Sequence, residues 1–285
     1  MDPPSDSYRL KLNWAKKHFE LLNGEISRFL DAEPYGAEVR EFDSESQSFI
    51  IRSVVKTELP RGWPLVIGDC VHNLRSALDH LAWQLATDRA TGLAPKGTEF
   101  PVFLERDKYK KLDRSGRPAP GSGAFKVRGM SAAAQAAIEG LQPYNRSDGV
   151  PELHPLWLLQ ALSNEDKHRV LSVVGTIMEE SEITFRQPPV DADLEMSFDY
   201  GVPLEPETRI GQLRFQPRGP QATVNFEVEG TFFVAFGKEG AGRGLRVPDT
   251  LADIANFITL DVLPALEPFL ASGTGAARDT SIPAG

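Results

Sequence analysis

After residue 170 the hydrophobic period of this chain switches from helical spacing to two, and that change limits what it can fold into. In 7–31, Ala15, Phe19, Leu22, Ile26 and Phe29 recur at helical spacing. In 64–88, Val66, Cys70, Leu74, Ala77, Leu78, Leu81 and Leu85 form one apolar stripe at about 100° per residue. Shorter helices fit 131–142, capped by Ser131, and 155–169, opened by Pro155. From residue 170 to 236 the period becomes two. Strands are expected at Val170–Val174, Glu182–Arg186, Leu194–Phe198, Gln212–Phe215 and Ala222–Phe236, with Pro188-Pro189, Gly201 and Gly219-Pro220 as turns. No helix interrupts them, so the sheet is an antiparallel meander rather than a βαβ series. The implied class is α+β: a helical bundle-like half packed with an antiparallel β-sheet.

The expected organisation is a helical domain over 1–175, with an inserted hairpin at 38–58 and a mobile loop at 89–130. An antiparallel sheet plus C-terminal helix, capped by Asp249 or Thr250, follows over 176–271, joined with the first part as one unit. Residues 272–285 read as a disordered tail. Within the loop, 105–128 carries eight Lys or Arg against three acids, in a chain of net charge −9. A general nucleic-acid coat is excluded by that overall charge, because phosphate binding needs clustered cations. A local basic arm, mobile through Pro118, Pro120, Gly121 and Gly123, is not. No apolar run approaches the roughly 20 residues that span a bilayer. The first residues lack the apolar core of a signal peptide. One cysteine, Cys70, precludes an internal disulfide and suits a reducing compartment, so cytoplasm is expected.

The face of 64–88 opposite the apolar stripe carries Asp69, His72, Asn73, Arg75, Ser76, Asp79 and His80. A merely solvated face would more often hold Lys and Glu. Spacings of three and four let several of these side chains touch. On the second helix Asp166 falls one turn after Leu162, on the apolar face, and a carboxylate there needs a partner. Arg75, His72 and His80 are the expected partners. Lys167, His168 and Arg169 join the site only if that helix ends nearby, and His18 and Glu25 of the first helix are a candidate third wall. Arg75 and His80 suit metal-independent RNA cleavage, the imidazole moving a proton on a ribose hydroxyl and the guanidinium holding phosphorane charge. His72, Asp79 and Asp166 suit a divalent metal by ligand type, although no HExxH, ExxH or CxxC is present. A buried salt-bridge network between two helices explains the same residues without chemistry. The glycine-rich Gly237–Gly244 does not run directly into a helix and reads as a connector. Cys70 sits on the core stripe and reads as a packing residue.

Three segments, GDCVHNLRSALDHLAWQL at 68–85, LQPY at 141–144 and LSNEDKHR at 162–169, resemble a family of uncharacterised bacterial proteins. More distantly, Arg75 and His80 resemble the R-x(4–6)-H signature of HEPN proteins. Those are helical domains that often act as metal-independent ribonucleases and often dimerise so that two signatures share a cleft. The resemblance implies Arg75 and His80 as catalytic groups, with Ser76 at the polar position after the arginine; the polar constellation itself adds His72, Asp79 and Asp166 as catalytic candidates. Asn73, Ser76, Lys167, His168 and Arg169 would then contact substrate. The resemblance also implies metal-independent action and a homodimer; no cofactor is expected, the basic segment 105–128 is the expected contact for RNA, and the lack of a long apolar run implies no membrane. HEPN domains lack the strands expected here after residue 170. The alternatives are a non-catalytic binding protein with a structural His/Asp/Arg cluster, and a metal-dependent hydrolase.

Overall fold

A computed structural model describes residues 6–88, 91–146, 149–177, 182–220 and 223–271; the expected tail at 272–285 lies outside them. The fold is α+β, with antiparallel sheets. The helices are α1 (Ser7–Asp31), α2 (Trp63–Ala86), α3 (Arg106–Tyr109), α4 (Gly123–Lys126), α5 (Ala132–Gly140), α6 (Pro155–Asp166), α7 (Val247–Phe257) and α8 (Leu263–Ala271). The strands are β1 (Tyr35–Asp43), β2 (Ser48–Val55), β3 (Val173–Ile177), β4 (Glu182–Val190), β5 (Ala192–Phe198), β6 (Arg209–Pro217), β7 (Thr223–Glu229) and β8 (Phe232–Phe236). No described helix is long and apolar enough to cross a membrane.

The chain divides into two compact units, and neither is continuous in sequence. One comprises residues up to 16, 70–163 and those from 252 on; the other comprises 17–69 and 164–251. The division therefore does not fall near residue 175. The hairpin belongs with the strands, and the C-terminal helix from 252 on belongs with the helical segments. Period counting assigns an element its type but not its neighbours.

In the strand-rich unit the sheet order is β1-β2-β6-β5, with β3-β8 and β4-β7 as separate antiparallel pairs. This corrects the simple meander: the β1–β2 hairpin is part of the main sheet, and β2 pairs with β6 from Ser48↔Arg214 to Arg52↔Arg209. Central position explains why β2 alternates poorly. It is covered on both faces, so Ile50 and Ile51 are both buried. Ile51, Ile210, Phe198, Leu204 and Tyr35 form the core, with Phe29 packed against it. Gly211 lies opposite both Ile51 and Phe198, and a Cβ there would stand 2.7 Å from the Ser197 carbonyl oxygen. The strand expected at 170–174 is displaced to β3, because α6 stops at Asp166 and a turn intervenes.

In the helical unit α2 is buried around most of its circumference. Cys70, Leu74, Ala77, Leu78 and Leu81 are buried as the stripe requires, and so are Val71 and Ala82 beside it. Ser131 caps α5 by accepting the Ala134 N–H at 3.2 Å, as expected. α7 begins at Val247, ahead of the anticipated cap, and a π-helical turn at Ile258–Val262 joins it to α8.

The loop expected to be mobile is packed. Between 105 and 128 it forms α3, α4 and the Leu112–Pro118 bridge, and it buries Tyr109, Ala119, Ser122 and Val127. A Cβ on Gly123 would strike the Tyr109 ring, so only glycine lets α4 approach so closely. Tyr109 also meets the rings of Phe103 at 5.8 Å and Tyr144 at 6.0 Å. Sparse but large apolar residues did this work, and turn-rich composition concealed them. The Tyr109 hydroxyl is buried without a hydrogen-bond partner. Tyr109→Ala is expected to cost about 3–5 kcal/mol by cavity formation. Tyr109→Phe, which removes an unsatisfied donor, is expected to be neutral or stabilising by about 1 kcal/mol. Urea unfolding of the two variants measures both; a fully unaffected Tyr109→Ala would restore the mobile loop.

Candidate functional site

The polar face of α2 is built around a buried guanidinium. Arg75 is 7% exposed. Its Nη2 donates to Asp79 Oδ1 at 2.8 Å, one helical turn on, and to the Phe100 carbonyl at 2.7 Å. The Phe100 N–H returns to Asp79 Oδ1 at 3.0 Å. This reciprocal clamp ties an extended segment to the helix, and the Phe100 ring beside it is fully buried. Gln142 pegs the same segment: it accepts the Phe103 N–H at 3.0 Å and donates to the Pro101 carbonyl at 2.9 Å.

His80 follows Asp79 and is half-buried. Burial holds its imidazole below the usual histidine range, and the Lys11 ammonium adds to that against an opposing pull from Asp79. Lys11, from α1, donates to Asn73 Oδ1 at 3.2 Å, two turns before His80 on α2. Sequence reading missed Lys11. Its only signal was its place on the first helix, which says nothing of which neighbour it meets. Buried His80 Nδ1 and Arg75 Nη1 both lack a hydrogen-bond partner.

The remaining expected residues scatter. His72 is exposed and lies 3.4 Å from the Ser76 hydroxyl through Nε2. Asp166 does reach the 64–88 helix, but at Gly68, where a Cβ would collide with its carboxylate. The expected pairing with Arg75, His72 or His80 is thus replaced: glycine makes a notch that admits the carboxyl group, and Arg75 spends its charge on Asp79. The helix ends directly after Asp166. Lys167, His168 and Arg169 are exposed in the turn that follows, with Arg169 on Glu165 at 3.1 Å. Glu165 also accepts the Ala241 N–H at 2.8 Å, and Gly240 at φ +94° lies against it. The glycine-rich connector is therefore anchored. Glu25 accepts the Trp63 indole N–H at 3.0 Å, which is a structural tie. Cys70 is buried and its thiol donates to the Ala15 carbonyl at 3.4 Å, as suits a packing residue. Among the described residues no group of three or more His, Cys, Asp or Glu side chains is placed to share a metal ion.

A concave region of about 450 Å³ is lined by Gln142, Arg146, His154, Phe257 and Asp261 among others. Asp261 comes from the π-helical turn, a device that often re-aims side chains. His154 caps α6: its Nδ1 accepts the Leu156 N–H at 3.2 Å, and its ring meets Phe257 edge-on at 4.8 Å. Burial first, then the Arg146 charge, push its pKa down to about 4 against an opposing Asp261. Nothing in the periodicity of the chain marks this histidine.

Two outcomes follow from these contacts. A buried base with a depressed pKa is protonated first in the unfolded chain, so its stabilisation is present above about pH 6.5 and lost as pH falls towards 4. His154→Asn, which keeps a capping acceptor, is expected to remove on the order of 3 kcal/mol of acid sensitivity across that window, read from melts at several pH values. Gly68→Ala would ordinarily stabilise a helix by about 1 kcal/mol. Here it is expected to gain nothing alone and to recover that gain only with Asp166→Ala, a coupling that a double-mutant cycle measures. The chain matches no family model, no curated protein and no solved structure.

Proposed function

We propose that the chain is a metal-independent endoribonuclease of HEPN-like type, acting on single-stranded RNA in the cytoplasm. The observation that carries this is the pair of unmet hydrogen-bonding groups on α2. Five buried side-chain polar atoms lack partners among the described residues, and two of them are Arg75 Nη1 and His80 Nδ1. Buried polar atoms are nearly always satisfied, and exceptions often mark chemistry. Two of the five fall on the two residues of the R-x4-H spacing, and the other three are hydroxyls of Tyr109, Tyr144 and Thr176.

In this reading neutral His80 takes the proton from a ribose 2′-hydroxyl as that oxygen attacks the adjacent phosphorus. The bond to the 5′-oxygen breaks, a 2′,3′-cyclic phosphate forms, the leaving oxygen takes a proton from water, and the His80 imidazolium returns its own proton to the hydroxide so formed. The Arg75 guanidinium stabilises the charge on the phosphorane oxygens once its buried Nη1 is uncovered, and Lys11 adds positive charge beside His80. Five residues separate Arg75 and His80 by about 140° around α2. A second copy of the chain is therefore proposed to complete each site. A chain with one cysteine, the buried Cys70, accords with the cytoplasm.

A second reading has its own observation. The Arg75–Asp79–Phe100 clamp uses the guanidinium as scaffold, which suits a non-catalytic binding protein. The two readings part at His80, which takes no part in the clamp. Wild-type protein is expected to cleave single-stranded RNA in the presence of chelator, with an acid limb below pH 6.5 because only neutral imidazole accepts the proton. His80→Ala is expected to abolish cleavage with the melting temperature nearly unchanged. Intact RNA with wild-type protein across pH leaves the binding reading in its place.

A further inference from the structure

We propose that an ordered hairpin at 111–119 is the contact surface for the phosphate backbone of single-stranded nucleic acid, through Lys111, Arg114 and Arg117. The choice of partner rests on the ribonuclease reading; the surface itself rests on the pairing of charges. Of the eight cations in 105–128, five are tethered. Arg106 and Lys110 hold Glu139 at 3.7 and 2.7 Å, and Lys108 holds Glu105 at 2.5 Å. Lys126 pairs with Glu99. Arg128 donates to the carbonyls of Phe125 at 2.5 Å and Lys96 at 2.6 Å. Lys111, Arg114 and Arg117 form no ion pair among the described residues, and all three are exposed.

The three sit on a frame that is fixed locally. The Ala119 N–H donates to the Lys111 carbonyl at 2.9 Å, and the Asp113 N–H to the Arg117 carbonyl at 2.7 Å. Asp113 is the one acid of the hairpin, and its carboxylate is turned into the loop. It accepts the Ser115 N–H at 2.8 Å, the Ser115 hydroxyl at 2.6 Å and the Arg117 N–H at 3.1 Å. Gly116 takes φ +78°, the left-handed conformation that the turn needs. Buried Ala119 and Tyr109 root the hairpin. Three cations against one internally bonded carboxylate thus project from an otherwise acidic chain, with little backbone entropy left to lose on binding. Guanidinium forks match phosphate oxygens.

The test uses a fluorescent 2′-O-methyl oligouridylate of about twelve nucleotides, which binds but offers no 2′-hydroxyl to the cleavage step. Anisotropy is followed with the full chain from about 50 to 200 mM salt. Three phosphate contacts on a single strand give a log–log slope of about −2, a loss of roughly 20-fold over that range. The triple variant K111A/R114A/R117A is expected to bind at least about tenfold more weakly with a nearly flat slope. K108A, which removes a tethered cation, is expected to bind as wild type. Equal binding by the triple variant, no binding by wild type, or tighter binding to poly-L-glutamate overturns the proposal. Hairpin-dependent binding with no RNA cleavage refutes the ribonuclease reading alone; His80-dependent cleavage with hairpin-independent binding refutes the hairpin alone.

Discussion

Taking a guanidinium out of water costs several kcal/mol unless it is paired, and Arg75 offsets part of that cost through Nη2, by drawing another part of the chain onto α2. Asp79 supplies the countercharge and the Phe100 carbonyl supplies a neutral acceptor. The Phe100 N–H closes the circuit on Asp79. Gln142 fastens the next residues of the same segment. Two separate sequence motifs, HNLRSALDH and LQPY, therefore serve one purpose. They hold 100–103 with buried polar groups where an apolar contact would allow it to slide. The same arrangement fixes the environment of His80, which inherits a desolvated position beside Asp79.

What could be read without coordinates was what depends on period and local chemistry. The α2 stripe was legible because Cys70, Leu74, Ala77, Leu78 and Leu81 repeat along one face, and the Ser131 cap because serine before an alanine run has few other uses. Asp166 lies against α2, but at Gly68 and not at one of the cations or imidazoles expected for it. Its actual neighbour was not legible, because Gly68 offers no side chain to pair with and acts only by being small. Lys11 and His154 were invisible for a related reason: each matters through what meets it in space. The mobile-loop expectation erred by weighing Pro and Gly content above Tyr109, whose single ring anchors the segment.

Charge counting shows the same limit. Eight cations against three acids in 105–128 suggest a broad basic arm. Partners outside that window, Glu99 and Glu139, neutralise much of it. The surface that remains is narrower and more defined than the composition implied.

The helical unit also carries a consequence for how the protein comes into being during synthesis. The Tyr8 hydroxyl and the Arg9 guanidinium both donate to Glu267, at 2.9 and 2.5 Å. The unit draws on residues up to 16, on 70–163 and on 252 onward. Contacts so distant in sequence close slowly and late. A nascent chain emerging from the ribosome cannot complete this unit until α8 is free of the exit tunnel. Until then Tyr8 lacks Glu267 and the His154 ring lacks Phe257. The growing polypeptide spends most of its translation with apolar helix faces uncovered, a state in which chaperone capture competes directly with folding.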